Sequence, residues 1–341
     1  MSVTRKIEVI ESEGYKRGGV AYSIRVKFAP AELNGPKNAR VLHPDGRELP
    51  IQIDIDETWP DGSIRSGDVL FPLHLPANGS GVYTLETGTA VSPSARQTNP
   101  VQIDQSPHAL TINQGPVIYV VTADPYSVVD SAVFDRDVWK GTHPTGADIS
   151  GPKSFLKPES RAPVLITKDD NELVLTGSVE LDIETSGPRT GRIRITGDYP
   201  GGISFTSHIT FYSRVSWYRH SFALQGDRTA IASVVFEDRF DLQEGPLLCA
   251  FASRVNSSGQ PTSWAVVTDG VSTIDIATRT AWSDSGSVRY ESESEGRFRV
   301  IAPYTGEPIA TFYHFLITPP ADHYHTPAAA MVADPHMRLR E

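Results

Sequence analysis

Three residues in the stretch from Ile203 to Leu224 have the types that a β-elimination requires: His208, Tyr212 and Arg214. Removing the proton α to a uronate carboxylate needs a cation to neutralise that carboxylate first. A Tyr or His then takes the proton, and a second such group donates one to the leaving oxygen. Arg suits the first role because its planar fork meets a carboxylate through two parallel hydrogen bonds. Read as one long strand, the segment alternates. Phe205, Ile209, Phe211, Val215 and Trp217 fall on one face, and His208, Thr210, Tyr212, Arg214, Tyr218 and His220 on the other. Same-face neighbours on a strand lie roughly 6.5–7 Å apart, so the polar set has the spacing to line one groove. His208, Tyr212 and Arg214 are the candidate catalytic residues, with Tyr218 and His220 as substrate contacts. The same pattern also fits the solvated polar face of an ordinary antiparallel strand.

Two further sets carry chemistry-bearing side chains. Asp322-His323-Tyr324-His325 contains a His-x-His spacing with an adjacent carboxylate, and it lies between Pro319-Pro320 and Thr326-Pro327. Asp322, His323 and His325 are therefore the candidate ligands for a divalent metal, the only cofactor the sequence suggests. Trp139, Lys140 and His143 fall in a Gly/Pro-containing loop that would gate a sugar site or simply cross the surface. Cys249, the single cysteine, excludes an intrachain disulfide, and its Leu-Leu-Cys-Ala-Phe context reads as a buried, inert thiol. Phosphate-binding glycine loops, dinucleotide fingerprints, nucleophile elbows and zinc-finger spacings are absent. A carboxylate pair for glycoside hydrolysis is not legible among 41 acidic residues, because β folds assemble such pairs from distant strands.

The elements that would position these residues are strands. The chain has 341 residues, enough for two domains, and its 27 Gly and 26 Pro leave few long helical runs. Tyr22 to Phe28 alternates at period two, as do Ile51 to Asp56 and Arg297 to Ala302. His43-Pro44-Asp45-Gly46 and Trp59-Pro60-Asp61-Gly62-Ser63 are turns of one chemistry. Pro presets φ, and Gly accepts the positive φ that follows. Further strands are expected at Val117 to Val121, Leu173 to Ile183, Arg192 to Thr196, Trp264 to Val267 and Thr311 to Thr318, with a hairpin about Ser186 to Gly191. Pro125 to Lys140 carries a weak pattern for a short helix. Residues 88 to 100 read as a linker. A net charge of −10 argues against a general nucleic-acid or anionic-membrane partner, although a local basic pocket for an anionic sugar remains compatible with it. No apolar run approaches the ~20 residues of a membrane span. The N-terminal segment lacks the apolar stretch of a signal peptide, so the expected location is cytoplasmic, or secreted with a leader already removed. The sequence leaves an oligomer or a partner subunit open.

The run Trp59-Pro60-Asp61-Gly62-Ser63-Ile64-Arg65, preceded by Gln52 and followed by Leu75-Pro76-Ala77-Asn78-Gly79-Ser80-Gly81-Val82-Tyr83-Thr84-Leu85, resembles the N-terminal RIFT barrel of the exo-rhamnogalacturonan lyase (YetA-like) family. Ser66 departs from that pattern, which has an aromatic residue there. The resemblance implies a small barrel over residues 1–90 and a β-sandwich over 101–341. It also implies action on a uronate-containing polysaccharide or oligosaccharide. Nothing in the chain resembles the family's α/α-toroid domain, and this keeps a second reading open: a non-catalytic carbohydrate-binding or assembly protein. The expected fold is thus all-β, a small RIFT-type barrel followed by a larger antiparallel β-sandwich. The expected partner is carbohydrate. Trp59 is expected to plug one end of the barrel or, alternatively, to stack on a sugar.

Overall fold

The computed structural model describes residues 2–12, 14, 16–96, 99–134, 153–157, 161–242, 248–255, 261–268, 273–279, 288–292, 296–316 and 336–340. These residues form strands, turns and short 3-10 turns such as Pro36–Asn38, which makes the fold all-β. No helix among them is long and apolar enough to cross a membrane. The chain divides into two compact units, Met1–Pro100 with Gly187–Thr190 and Ala333–Glu341, and Val101–Ser186 with Gly191–Val332.

In the first unit, β1 (Val3–Ile10), β3 (Ala39–Leu42), β4 (Glu48–Leu49), β7 (Ser80–Thr87) and β26 (His336–Arg340) form a sheet in the order β26-β1-β7-β3-β4. A second sheet orders β2 (Arg17–Lys27), β6 (Ile64–Leu75) and β5 (Gln52–Thr58) as β2-β6-β5. Alternation buries Ile7 and Val9 on β1, Tyr22, Ile24 and Val26 on β2, and Tyr83 and Leu85 on β7. The C-terminal strand β26 pairs antiparallel with β1, Ile7 opposite Leu339. This long-range pairing adds a strand beyond the expected 1–90 boundary. The tip of the expected hairpin at 186–191 also belongs to this unit. Gln52 accepts from the Arg189 and Thr190 amides at 2.9 and 3.0 Å. A Cβ on Gly187 would lie 2.2 Å from the Gln52 side chain, so a larger residue there would push the Gln52 amide away from these bonds.

Both predicted turns form. Gly62 takes φ 83°, its amide donates to the Trp59 carbonyl at 2.9 Å, and the Asp61 carboxylate accepts from the Ser63 amide and hydroxyl. Trp59 itself differs from the expected plug. It is only half-buried; its Nε1 donates to the Phe28 carbonyl at 3.0 Å, and the Arg65 guanidinium lies 5.0 Å from the ring centroid. The indole needs a partner for its N–H, and it finds one at the rim instead of in the apolar centre.

The second unit contains three sheets. One orders β12 (Lys153–Ser154), β11 (Ser131–Phe134), β10 (Val117–Thr122), β9 (Ala109–Asn113) and β8 (Gln102–Gln105) as β12-β11-β10-β9-β8. Another orders β14 (Glu172–Leu173), β13 (Arg161–Thr167), β19 (Ile231–Arg239), β24 (Arg297–Pro303) and β23 (Arg289–Ser292) as β14-β13-β19-β24-β23. The third has eight strands in the order β15 (Thr176–Ser186), β16 (Thr190–Tyr199), β17 (Ile203–Tyr212), β18 (Trp217–Gln225), β25 (Ile309–Leu316), β22 (Thr273–Arg279), β21 (Pro261–Thr268) and β20 (Leu248–Val255). One apolar core joins residues of all three sheets, among them Tyr119, Phe205, Phe211, Phe222, Phe236, Phe298 and Tyr313. Where a short helix was expected, Ser131–Phe134 is a strand paired with β10, and Val128 and Val129 are buried before it. Two adjacent β-branched residues favour this extended packing over a helix.

Candidate functional site

The segment from Ile203 to Leu224 is two strands, not one. β17 ends at Tyr212 and β18 begins at Trp217, and the two pair antiparallel with His208 opposite Ser221. Gln114 makes the break. Its fully buried amide donates to the carbonyls of Val215 and Trp217 at 2.6 and 3.1 Å and accepts from the Tyr212 amide at 3.3 Å. Its own carbonyl accepts from the Arg214 amide at 2.7 Å, and Arg214 adopts φ 65° in the turn.

The expected single polar face is therefore corrected at Arg214, Tyr218 and His220, while His208 and Tyr212 keep to one side of β17. His208 remains on the half-exposed side of β17. Tyr212 is 8% exposed, with its ring 4.3 Å from that of Trp217, and Arg214 lies outside the strand. Beyond the turn the alternation restarts, and Tyr218 and His220 point into the core with Phe222. His220 is hydrogen-bonded to the Ser207 hydroxyl at 2.7 Å and to the Thr311 hydroxyl at 3.0 Å, and burial pushes its imidazole down to about 3. A neutral, enclosed ring of this kind is a structural group and not a substrate contact. Trp139, Lys140 and His143, and Asp322, His323 and His325, lie outside the described residues, as does the side chain of Cys249. Among the described residues no group of three or more His, Cys, Asp or Glu side chains converges to hold a metal.

His208 does have partners. Its Nε2 lies 3.3 Å from Glu184 Oε1 on β15, and the other Glu184 oxygen is 2.8 Å from Arg192 Nε on β16. Arg194 pairs with Asp182 at 2.8 Å in the same strand pair. Partial burial holds the His208 imidazole below its ordinary range against the opposing pull of Glu184, leaving it neutral near neutral pH.

A second arrangement was not visible in the sequence. The outward face of β13, β19 and β24 is concave and encloses a groove of about 660 Å³. One cause is a bulge in β13. Arg161 pairs with Glu237 but Val164 pairs with Val235, so one extra residue intervenes at Ala162-Pro163 and bends the strand. Pro163 occupies the irregular position, where its missing N–H costs no ladder bond. Across the groove the register makes two rows. Arg161, Glu237, Arg299 and Glu291 stand side by side at one end, and Val164, Val235, Ile301 and Arg289 form the next row.

The charged row is asymmetric. Glu237 is nearly buried, at 9% side-chain exposure, and it faces Arg299 at 2.8 Å, Arg297 at 3.5 Å and Arg161 at 3.7 Å. Three guanidinium groups thus share one carboxylate, and Arg161 remains 61% exposed. Arg289 also lines the groove. Arg161, Arg289 and Arg299 thus face Glu237, Asp170 and Glu172 around a half-buried floor of Val164, Ile166, Val235 and Ile301. The carboxylates of Asp170 and Glu172 line the opposite rim. The one sequence signal for this site was the Arg297-Phe-Arg-Val-Ile alternation, which puts Arg297 and Arg299 on the same face.

No family model and no curated protein sequence matches the chain. Solved structures do. An alpha-mannosidase from Enterococcus faecalis V583 superposes with a TM-score of 0.52 at 9% identity, covering 99% of this chain and 46% of that one. A protein in glycosyl hydrolase family 38 from Enterococcus faecalis superposes with a TM-score of 0.54 at 8% identity, covering 99% and 47% respectively. The chain therefore spans less than half the length of these structures, and at such identity the likeness establishes a shared β fold.

Proposed function

We propose that this chain is a carbohydrate-binding β protein whose ligand carries uronate carboxylates, held in the groove over β13, β19 and β24. The observation that carries the reading is the sharing of Glu237 by Arg161, Arg297 and Arg299, with Arg289 beside them. Arg161, 61% exposed, and the exposed Arg289 present forked donors to the concave surface, the arrangement suited to a carboxylate. The groove volume also lies within the usual range for small-molecule sites. Two likenesses add support: the structural neighbours are a mannosidase and a glycosyl hydrolase family member, and the Trp59 turn resembles that of uronate-polymer lyases. Calorimetry with digalacturonate and with its carboxyl-reduced, neutral counterpart tests the proposal. The acid should bind and the neutral sugar should bind at least about tenfold more weakly, as expected for loss of a charge-assisted contact. Equal binding of both, or binding of neither, removes the proposal.

One observation favours a second, catalytic reading. His208, Glu184, Arg192 and Arg194 stand on one exposed face, so a neutral imidazole and two cations are close together without Tyr212 or Arg214. In this reading His208 is the base of a β-elimination and Arg192 or Arg194 holds the uronate. Conjugated product from polygalacturonate, detected by ultraviolet absorbance and lost in His208→Ala, would support it. An absence of product with the wild-type chain would leave binding alone.

A further inference from the structure

The groove does not end where its arginines do. Ala232 on β19 also lines a second concavity of about 630 Å³, formed by the turns that follow β13, β18 and β24. Its walls include Lys168, Asp227, Arg228, Tyr304 and Gly306. The turns are tied to the strands that floor the first groove. The Lys168 amide donates to the Ala230 carbonyl at 2.8 Å, and the Tyr304 amide donates to the Ala232 carbonyl at 2.9 Å. Pro303 lines the first concavity and Tyr304 the second, so the two abut along β24 as well as along β19.

We infer that the two concavities are one extended site for a polyanionic oligosaccharide, with Tyr304 as the sugar-stacking platform at the end opposite the arginines. This rests on the carbohydrate-binding reading given above. Distance supplies the first argument. From Glu237 to Ala232 is five strand residues, about 16 Å, so the cations at the two ends are too far apart for one sugar ring to reach both. Charge supplies the second. Arg161, Arg289 and Arg299 stand at one end beside Glu237, and Lys168 and Arg228 at the other, where the Arg228 guanidinium also donates to the Leu224 carbonyl at 2.7 Å. A chain that repeats a carboxylate on successive units meets both sets. Asp170 and Glu172 on the β14 rim suit sugar hydroxyls as acceptors, and Asp227 is occupied by the Thr229 amide and hydroxyl. Ring chemistry supplies the third. Tyr304 packs against the apolar core with its hydroxyl buried and lines the second concavity, so any contact it makes with a ligand there is through its ring. The first concavity has an aliphatic floor and no aromatic among its lining residues, which leaves stacking to Tyr304.

Calorimetry with di-, tri- and tetragalacturonate on the full chain tests the inference. Affinity should rise with length by about tenfold or more between the dimer and the tetramer. Tyr304→Ala and Lys168→Ala should each remove most of that gain while leaving dimer affinity unchanged, and Tyr304→Phe should keep the gain because the hydroxyl faces inward. Arg161→Ala should weaken all three oligomers alike. Because Lys168 is a turn residue, its substitution keeps the test valid if Tyr304→Ala fails to fold. Dimer binding that depends on Arg161 but does not strengthen with length, or a length gain unaffected by both Tyr304→Ala and Lys168→Ala, overturns the extended site and leaves the binding reading standing. If no oligomer binds, both fall.

Discussion

Glu237 and Asp238 are consecutive carboxylates on β19, and they have opposite environments. Glu237 faces outward into a ring of three arginines at the groove. Asp238 faces inward, where the Tyr313 hydroxyl donates to it at 2.8 Å and burial pushes its carboxyl up to about 6. The difference is one step of strand alternation. On the outer face water and paired cations keep a charge inexpensive. In the core the same functional group is held by a single phenol and is driven toward its neutral form. The His220–Ser207–Thr311 chain follows the same rule, since a histidine inside the sandwich stays neutral and joins two hydroxyls. In this unit, residue type identifies groups able to do chemistry, and the facing direction decides whether that chemistry reaches solvent.

The largest effect is expected where the buried side of this contrast is broken. His220→Leu leaves the Ser207 and Thr311 hydroxyls without their ring partner, at about 1–3 kcal/mol for each orphaned group. Denaturant unfolding should show a loss of roughly 2–5 kcal/mol near neutral pH. The pH dependence has a definite sign. The folded pKa of His220 is depressed from 6.5 to about 3, so its neutral form contributes stability that is present above 6.5 and is lost as pH falls toward about 3. Unfolding curves of His220→Leu should be flatter than wild type across that window. An unchanged acid limb would mean that His220 is not enclosed.

Asp238→Asn should act in the opposite direction and more weakly. A folded pKa raised from 3.8 to about 6 contributes stability that is fully present below 3.8 and lost as pH rises through about 6. Replacing the carboxyl with an amide keeps an acceptor for Tyr313 and removes the buried charge. A gain on the order of 1–2 kcal/mol should appear well above that value and vanish at acid pH. A loss at alkaline pH would show that the carboxylate is stabilised by its surroundings.

Trp59→Ala, at the half-exposed turn of the first unit, should cost about 1–2 kcal/mol instead of the larger loss of a buried plug. A loss of 3 kcal/mol or more, the usual range for a fully buried aromatic, would restore the plug. The smallest stability change belongs to the outer face. Arg161→Ala should shift unfolding by no more than about 0.5 kcal/mol while weakening galacturonate binding, because an exposed member of a shared ion cluster contributes little to folding. A large stability loss there would make the arginine cluster a structural brace and weaken its role as a ligand site.

Local signals accounted for much of the fold and little of the candidate site. Alternation located β10, β21, β24 and the strands on either side of the hairpin at 186–191, and Pro-Asp-Gly chemistry located the Trp59 turn with its positive-φ glycine. Both signals act within a few residues, so they survive without tertiary context. Of the catalytic triplet expected at His208, Tyr212 and Arg214, the first two stay on one side of β17, but Arg214 leaves it because Gln114, nearly a hundred residues earlier, ends β17 and holds Arg214 in a turn. No pattern inside the segment announces that clamp.

By itself the sequence determined an all-β chain, the chemistry of its turns and the strands around which it is built, because periodicity and backbone preference are properties of short stretches. Tertiary structure alone decided which polar residues face water. Glu237, Arg161 and Arg299 meet through pairings between β13, β19 and β24, and a one-residue bulge in β13 turns Arg161 and Val164 toward the same groove. His220 was placed in the core by the turn before β18, which reset the alternation. Those outcomes depend on strand register, and register is set by contacts between segments far apart in the chain.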